Sequence, residues 1–251
     1  MQGEIRILPL RGIGEVQPGD DLVAILATAI DAAGGLEQGD ILVVTQKIVS
    51  KAEGRLVDPS TIEPSPFAQE IARTAKKDAR YQEVVLRESK RIVKMANGVL
   101  ITETRHGLVC ANSGVDESNV DGGRRLALLP LDPDASAAAL REGLARRYDY
   151  APAVIITDTF GRPWREGQVN VAIGVAGMLP LHDFAGVADP YGYTMQATLI
   201  AVADELAAAA ELVMGKIDRV PAAIIRGYHY LPSQTATARQ LIRDPRFDLF
   251  R

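Results

Sequence analysis

Apolar positions along the chain switch repeatedly between helical spacing and short continuous runs, a pattern that predicts an α/β or α+β architecture over a bundle or a pure sandwich. Pro18-Gly19-Asp20 precedes Leu22, Ile25, Leu26, Ala29, Ile30 and Ala33, and Gly34-Gly35 follows, so a capped helix of about four turns is predicted there. Gly39-Asp40 leads into Ile41-Leu42-Val43-Val44-Thr45, which reads as a buried strand, with Gln46 onward leaving the sheet. Residues 59–66, with Pro59, Pro64 and Pro66, read as a loop before a charged helix from about Phe67 to Lys77. β-type residues from Val99 to Val115 flank Arg105-His106-Gly107 and predict a hairpin. A helix over Asp134–Arg147 and a strand over Ala153–Thr157 resemble part of a strand-helix-strand crossover. A long alanine-rich helix is expected over Thr194–Met214 and a strand over Ala222–Gly227. The polar tail after Pro232 leaves three readings open: a lid, a dimer arm or a frayed end.

Composition narrows the setting without changing that picture. A 251-residue chain with 47% apolar residues can bury a substantial core, and residues 1–251 are expected to form a single domain. Its 28 basic and 32 acidic side chains leave a net charge of −4, which does not favour nucleic acid as a partner. Any basic site must be local. The single cysteine, Cys110, excludes an internal disulfide and suits a packing role in a reducing compartment. With no run long enough for a membrane span and no signal-like start, a cytoplasmic protein without membrane contact is expected.

Chemistry concentrates in two acidic segments, Gly114-Val115-Asp116-Glu117-Ser118-Asn119-Val120 and Ile155-Ile156-Thr157-Asp158-Thr159-Phe160-Gly161-Arg162. Each sets an aspartate among hydroxyl, amide and glycine groups beyond an apolar run, which suits an oxygen-liganded cation beside a phosphate. Taken singly, Asp116 could merely form an Asx-turn, and Asp158-Thr159 could be a helix cap. Lys47 and Lys51 fall on one face if a helix starts at Gln46, so they could reach one anion; a solvated face is the alternative. There is no Gly-x-x-x-x-Gly-Lys-Ser/Thr sequence, so any nucleotide is held without a P-loop. The Gly161–Asn170 stretch carries Arg162 and Arg165, whose forks could clamp an anionic substrate, and Trp164, read as a core anchor ahead of a ring platform. Met214-Gly215-Lys216 reads as an ordinary helix C-cap, and His106, His182 and His229 lack ligand spacing.

Taken in order, several segments resemble the coenzyme F420-0:L-glutamate ligase family in its stand-alone form. They are Leu8-Pro9-Leu10, Val44-Thr45-Gln46-Lys47 with Val49-Ser50-Lys51-Ala52-Glu53-Gly54-Arg55, and the Gly114–Val120 turn. Thr157-Asp158-Thr159-Phe160-Gly161-Arg162-Pro163-Trp164-Arg165 and Glu211-Leu212-Val213-Met214-Gly215-Lys216 complete the set. The resemblance implies an unusual mixed-sheet fold, a two-lobed protomer in an intertwined homodimer, and no C-terminal flavin reductase domain. It implies a GTP-dependent amide ligase of coenzyme F420 biosynthesis. Such an enzyme joins L-glutamate to the carboxylate of F420-0 or a related deazaflavin precursor through an acyl phosphate, with further γ-glutamyl additions in some members.

By matching positions, the resemblance assigns metal ligation to Asp116, Asp158 and Thr159, with Mg²⁺ or Mn²⁺ as two ions and K⁺ as a candidate further cation. It assigns GTP contacts to Ile13-Gly14-Glu15-Val16, Gln46, Lys51, Asn119 and Met214-Gly215-Lys216. Lys216 is a cation and cannot itself ligate a metal. Lys51, Arg162 and Arg165 become the candidates for stabilising transfer or holding a carboxylate. Two other functions need part of the same residue set: a metal-dependent phosphohydrolase acting on nucleotides, and a GTP-sensing dimer without catalysis.

Overall fold

The computed structural model describes residues 3–117 and 123–248. Its centre is a six-stranded mixed sheet built from β1 (Arg6–Pro9), β2 (Ile41–Thr45), β8 (Ala153–Arg162), β9 (Arg165–Met178), β12 (Ala222–Arg226) and β13 (Pro232–Ser233). Across the sheet the order is β1-β12-β2-β8-β9-β13. Among the described strands β2 and β8 form the parallel pair, with Ile41 opposite Ala153 and Thr45 opposite Thr157. The other neighbours in the sheet are antiparallel.

Continuous apolar runs form these strands because both faces of the sheet are covered. Leu42, Val44, Val154, Ile156 and Ile224 face one core, shared with α1 (Leu22–Ala32), α2 (Gln46–Ala52) and α5 (Pro133–Ala145). Ile41, Val43, Ile155, Ala223 and Ile225 face the other, filled by α6 (Val202–Met214). A third cluster joins Ile71, Tyr81, Val84, Val85, Leu100, Val115, Leu126 and Leu128. It lies among α3 (Pro66–Ala75), α4 (Ala79–Glu88), a three-stranded sheet of β4 (Ser89–Ala96), β5 (Val99–Thr104) and β6 (Val109–Ala111), and the pair of β3 (Leu56–Val57) with β7 (Leu126–Ala127).

Local signals set most boundaries. Asp21, Ser65, Asp78 and Asp132 each accept a backbone N–H at the start of α1, α3, α4 and α5, and Pro66 and Pro133 occupy first-turn positions. α6 begins at Val202, later than the expected Thr194, because Leu199 and Ile200 (β11) pair instead with Asp183 and His182 (β10). Within the described residues, part of the tail after Pro232 packs onto the domain. Pro232 and Ser233 pair with β9, Ala238 is buried, and its N–H reaches Asp134 Oδ1 at 2.8 Å. The same carboxylate oxygen accepts the Val175 N–H at 2.8 Å. Among the described residues no helix is long and apolar enough to cross a membrane.

Two departures from regular geometry shape the β8–β9 pair. A register shift between Ile156 and Thr157 leaves Ile173 as an extra residue on β9, and such a bulge re-aims the side chains beyond it. At Gly174, next to it, an added Cβ would lie 2.3 Å from the Pro133 carbonyl oxygen, so α5 can dock onto the sheet only over a glycine.

Candidate active site

A cleft of about 830 Å³ opens at the end of the sheet where β2 stops and β8 continues. Beyond Thr45 the chain turns directly into α2, while β8 runs on to Arg162 paired with β9. Asp158 and Thr159 therefore lie within a strand and not in the turn expected at its end. Side chains alternate across a strand, so Asp158 and Thr159 emerge on opposite faces of this extension. The reversal comes at Pro163-Trp164, where Trp164 has φ 58° and is 79% exposed. This excludes Trp164 as a core anchor.

The first acidic segment reaches the cleft through a constrained loop. Asn112, Ser113 and Gly114 are consecutively left-handed (φ 52°, 55° and 68°), a conformation that costs about 1–3 kcal/mol per non-glycine residue and is found disproportionately at functional sites. Compensation comes from below: Ser113 is buried, its N–H donates to Thr102 Oγ1 at 2.9 Å, and its hydroxyl meets those of Ser89 and Thr102 at 2.7 Å. Gly114 packs against Leu129, whose Cγ would lie 2.9 Å from an added Cβ. Tyr81 donates to the Val115 carbonyl at 3.2 Å, and Asp116 exchanges both backbone hydrogen bonds with Ala127. Asp116 is thus held by its main chain, which goes beyond a local Asx-turn.

Three lysines converge on this cleft. Lys47 Nζ lies 2.6 Å from Asp116 Oδ2, Lys51 Nζ lies 2.5 Å from Glu15 Oε1, and Lys216 Nζ lies 2.5 Å from Thr159 Oγ1. The side chain of Lys51 is only 7% exposed, so the solvated-face reading of the α2 lysines does not hold. Both reach the cleft because α2 starts without a linker after β2. The Thr159 hydroxyl donates to Asn170 Oδ1 at 2.7 Å across the β8–β9 pair.

The electrostatics couple the two aspartates. Burial pushes the Asp158 carboxyl up to about 6, and the charge of Asp116 acts in the same direction. The Thr159 N–H, Lys47 and Lys216 pull the other way. Cys110 also lines the cleft, and burial with the charge of Asp158 pushes its thiol up to about 12, which keeps it protonated and inert.

Most of the expected residues meet here. Ile13, Gly14, Glu15, Gln46, Lys51, Asp116, Asp158, Thr159, Met214, Gly215 and Lys216 line the cleft. Gln46 is buried and accepts from Ser50 Oγ at 2.7 Å. Val16 is buried in the α1 core. Arg162 and Arg165 are not among the lining residues; they flank the tip of the β8–β9 hairpin, where Arg162 donates to the Glu166 carbonyl at 2.6 Å. Asn119 lies outside the described residues. Sequence reading missed Asn112, Gln168, Asn170 and Arg219, which also line the cleft. For Asn170 a signal existed: an amide amid the apolar run of a strand. Among the described residues no three His, Cys, Asp or Glu side chains form a self-sufficient metal cage. Two carboxylates without a cage suit Mg²⁺ or Mn²⁺, which complete their shells with water and phosphate oxygens.

A model of the F420-0:gamma-glutamyl ligase family matches residues 12–227. A protein of Methanothermobacter thermautotrophicus named coenzyme F420:L-glutamate ligase is 45% identical over 98% of this chain and 99% of its own length. Its namesake in Methanopyrus kandleri is 46% identical over 98% of both chains, and that of Methanocaldococcus jannaschii is 44% identical over 86% of both.

Proposed function

This chain belongs to the F420-0:gamma-glutamyl ligase family, and from that premise we propose that it joins L-glutamate to the carboxylate of coenzyme F420-0 in coenzyme F420 biosynthesis, with GTP as the energy source. The observation that carries the reading is the meeting of Asp116 and Asp158, 42 residues apart by numbering, in one cleft with Lys47, Lys51 and Lys216. Alternating carboxylates and ammonium groups in one cleft suit a triphosphate accompanied by a divalent ion.

Asp116 and Asp158 would hold Mg²⁺ or Mn²⁺, which supplies neutralisation of phosphate charge when bound. Lys51 and Lys47 orient the triphosphate and offset charge developing on its γ-phosphoryl group. The precursor carboxylate attacks that phosphorus, the bond to the bridging oxygen breaks, and GDP leaves. The glutamate amine, deprotonated, then attacks the acyl carbon and expels phosphate, leaving an amide. The protein contributes mainly positioning and charge compensation. Further γ-glutamyl additions and the two-lobed homodimer belong to the same proposal.

Mass spectrometry of products formed by the purified chain from GTP, Mn²⁺, L-glutamate and F420-0 tests the reading. The expected product is F420-0 extended by glutamyl units, with GTP consumed only when both acceptors are present. Rapid phosphate release without either acceptor would overturn it.

A pH dependence follows from Asp158. The metal competes with a proton for this carboxylate, whose affinity for the proton is raised to about 6. Mn²⁺ affinity in the presence of a non-hydrolysable GTP analogue is therefore expected to be flat above neutrality and to fall by up to ~10-fold per pH unit below about pH 6. Calorimetric titration between mild acid and neutral pH measures it. A midpoint near the ordinary aspartate range would show that Asp158 does not ligate the ion.

A further inference from the structure

Charge in the cleft is unevenly arranged between its α2 and α6 faces. On the α2 face, Lys47 pairs with Asp116, whose side chain is still 36% exposed and can accept further partners. On the α6 face, the group opposed to Lys216 is a neutral hydroxyl. Thr159 donates its one proton to Asn170 Oδ1 at 2.7 Å and accepts from Lys216 Nζ at 2.5 Å. A hydroxyl oxygen has two lone pairs, and one of those on Thr159 is directed at an ammonium group. A divalent ion could take the other lone pair only by standing beside a like charge.

The position of Lys216 is built into the backbone. Met214 is 1% exposed and anchors the end of α6 in the core. Gly215 follows with φ 60° and ψ −169°, and an added Cβ there would lie 2.3 Å from Asp218 Oδ2. That turn precedes Lys216, whose ammonium reaches Thr159 on β8. Glu211, one helical turn earlier, sits 3.9 Å from the ammonium and further favours its charge. Lys216 is also among the cations that act on Asp158.

We propose that the Lys216 ammonium is the resident cation on the Thr159 side of the cleft, standing where a second divalent ion would otherwise bind. This chain therefore holds one divalent ion per nucleotide, carried by Asp116 and Asp158, while Thr159 holds Lys216. The inference rests on the triphosphate and metal reading above, and it replaces the two-ion, Thr159-ligated arrangement that family resemblance implies.

The full chain, loaded with the imido-bridged analogue of GTP and Mn²⁺ and freed of unbound ions by gel filtration, gives the test through its ratio of manganese to nucleotide. Wild type is expected to retain about one Mn²⁺ per nucleotide, and Lys216→Arg the same, because both keep a cation at the position. Lys216→Glu, which replaces the ammonium by a carboxylate, is expected to retain about two. The side chain is 58% exposed, so substitution leaves the core intact, as circular dichroism can verify. About two ions in wild type, or about one in Lys216→Glu, overturns the inference and leaves the ligase reading standing. Nucleotide retained with no manganese in wild type overturns the inference and the metal assignment together.

Discussion

Asp158→Asn is expected to lower ligation by about 10²–10³-fold or more while the metal-free protein becomes more heat-stable. The loss of rate follows from removing one of the two carboxylates assigned to the divalent ion, in a cleft whose remaining carboxylate, Glu15, is paired with Lys51. The gain in stability follows from the sign of the proton linkage. The folded-state affinity of Asp158 for its proton is raised, from 3.8 to about 6. Between those values the folded protein binds more protons than the unfolded chain, so the contribution to stability falls as pH rises and is lost above about 6. At neutral pH the ionised group is a burden that only a bound cation relieves. Asparagine keeps the shape and removes the burden. Initial rates at limiting Mn²⁺ and melting curves recorded without metal are the two measurements. Near-normal turnover would remove Asp158 from the metal site, whereas lost turnover with lowered stability would point to a structural role.

That coupling of function to local cost explains which parts of the molecule were readable from sequence. β2, α1, α5 and the core of β8 followed from apolar spacing and from capping residues such as Asp21 and Asp132, because burial on a sheet face leaves a periodic trace. α4 and β4 were missed, although Asp78 caps the first and Asn97-Gly98, both left-handed, forms the turn after the second. β4 is largely exposed, so burial imposes no alternation on it. Asp116, Asp158 and Lys51 were legible as motifs, but the reason they meet was not. It lies in a strand running past its neighbour, a bulge at Ile173 and three left-handed residues at 112–114. Each departs from regular geometry at the site, where backbone strain is compensated by surrounding contacts that no local pattern encodes. Trp164 was misplaced for a related reason: an aromatic residue signals burial, while its position at a hairpin reversal is set by Pro163 and the paired strands on either side.

Lys51→Met is the second substitution expected to have a large effect, a fall of about 10²-fold in kcat/KM for GTP with little change in fold. Lys51 projects from α2, which is fixed at its start by β2 and along its length by buried Ile48 and Val49. Its ammonium is therefore delivered to the cleft with little freedom left to lose, which makes it effective in electrostatic stabilisation. Methionine fills the volume of the stem and deletes only the charge. Glu15, the partner seen in the structure, is 59% exposed and can turn into water when an anion arrives. Glu15→Gln should therefore change kcat/KM by less than about threefold, since the pair it breaks is one that bound triphosphate would also break. Steady-state kinetics of both variants over a range of GTP concentrations separates the roles. If Lys51→Met and Glu15→Gln lost activity equally, the ion pair itself would be the functional unit. If Lys51→Met alone were impaired, Glu15 holds the lysine in place only until the nucleotide takes it over.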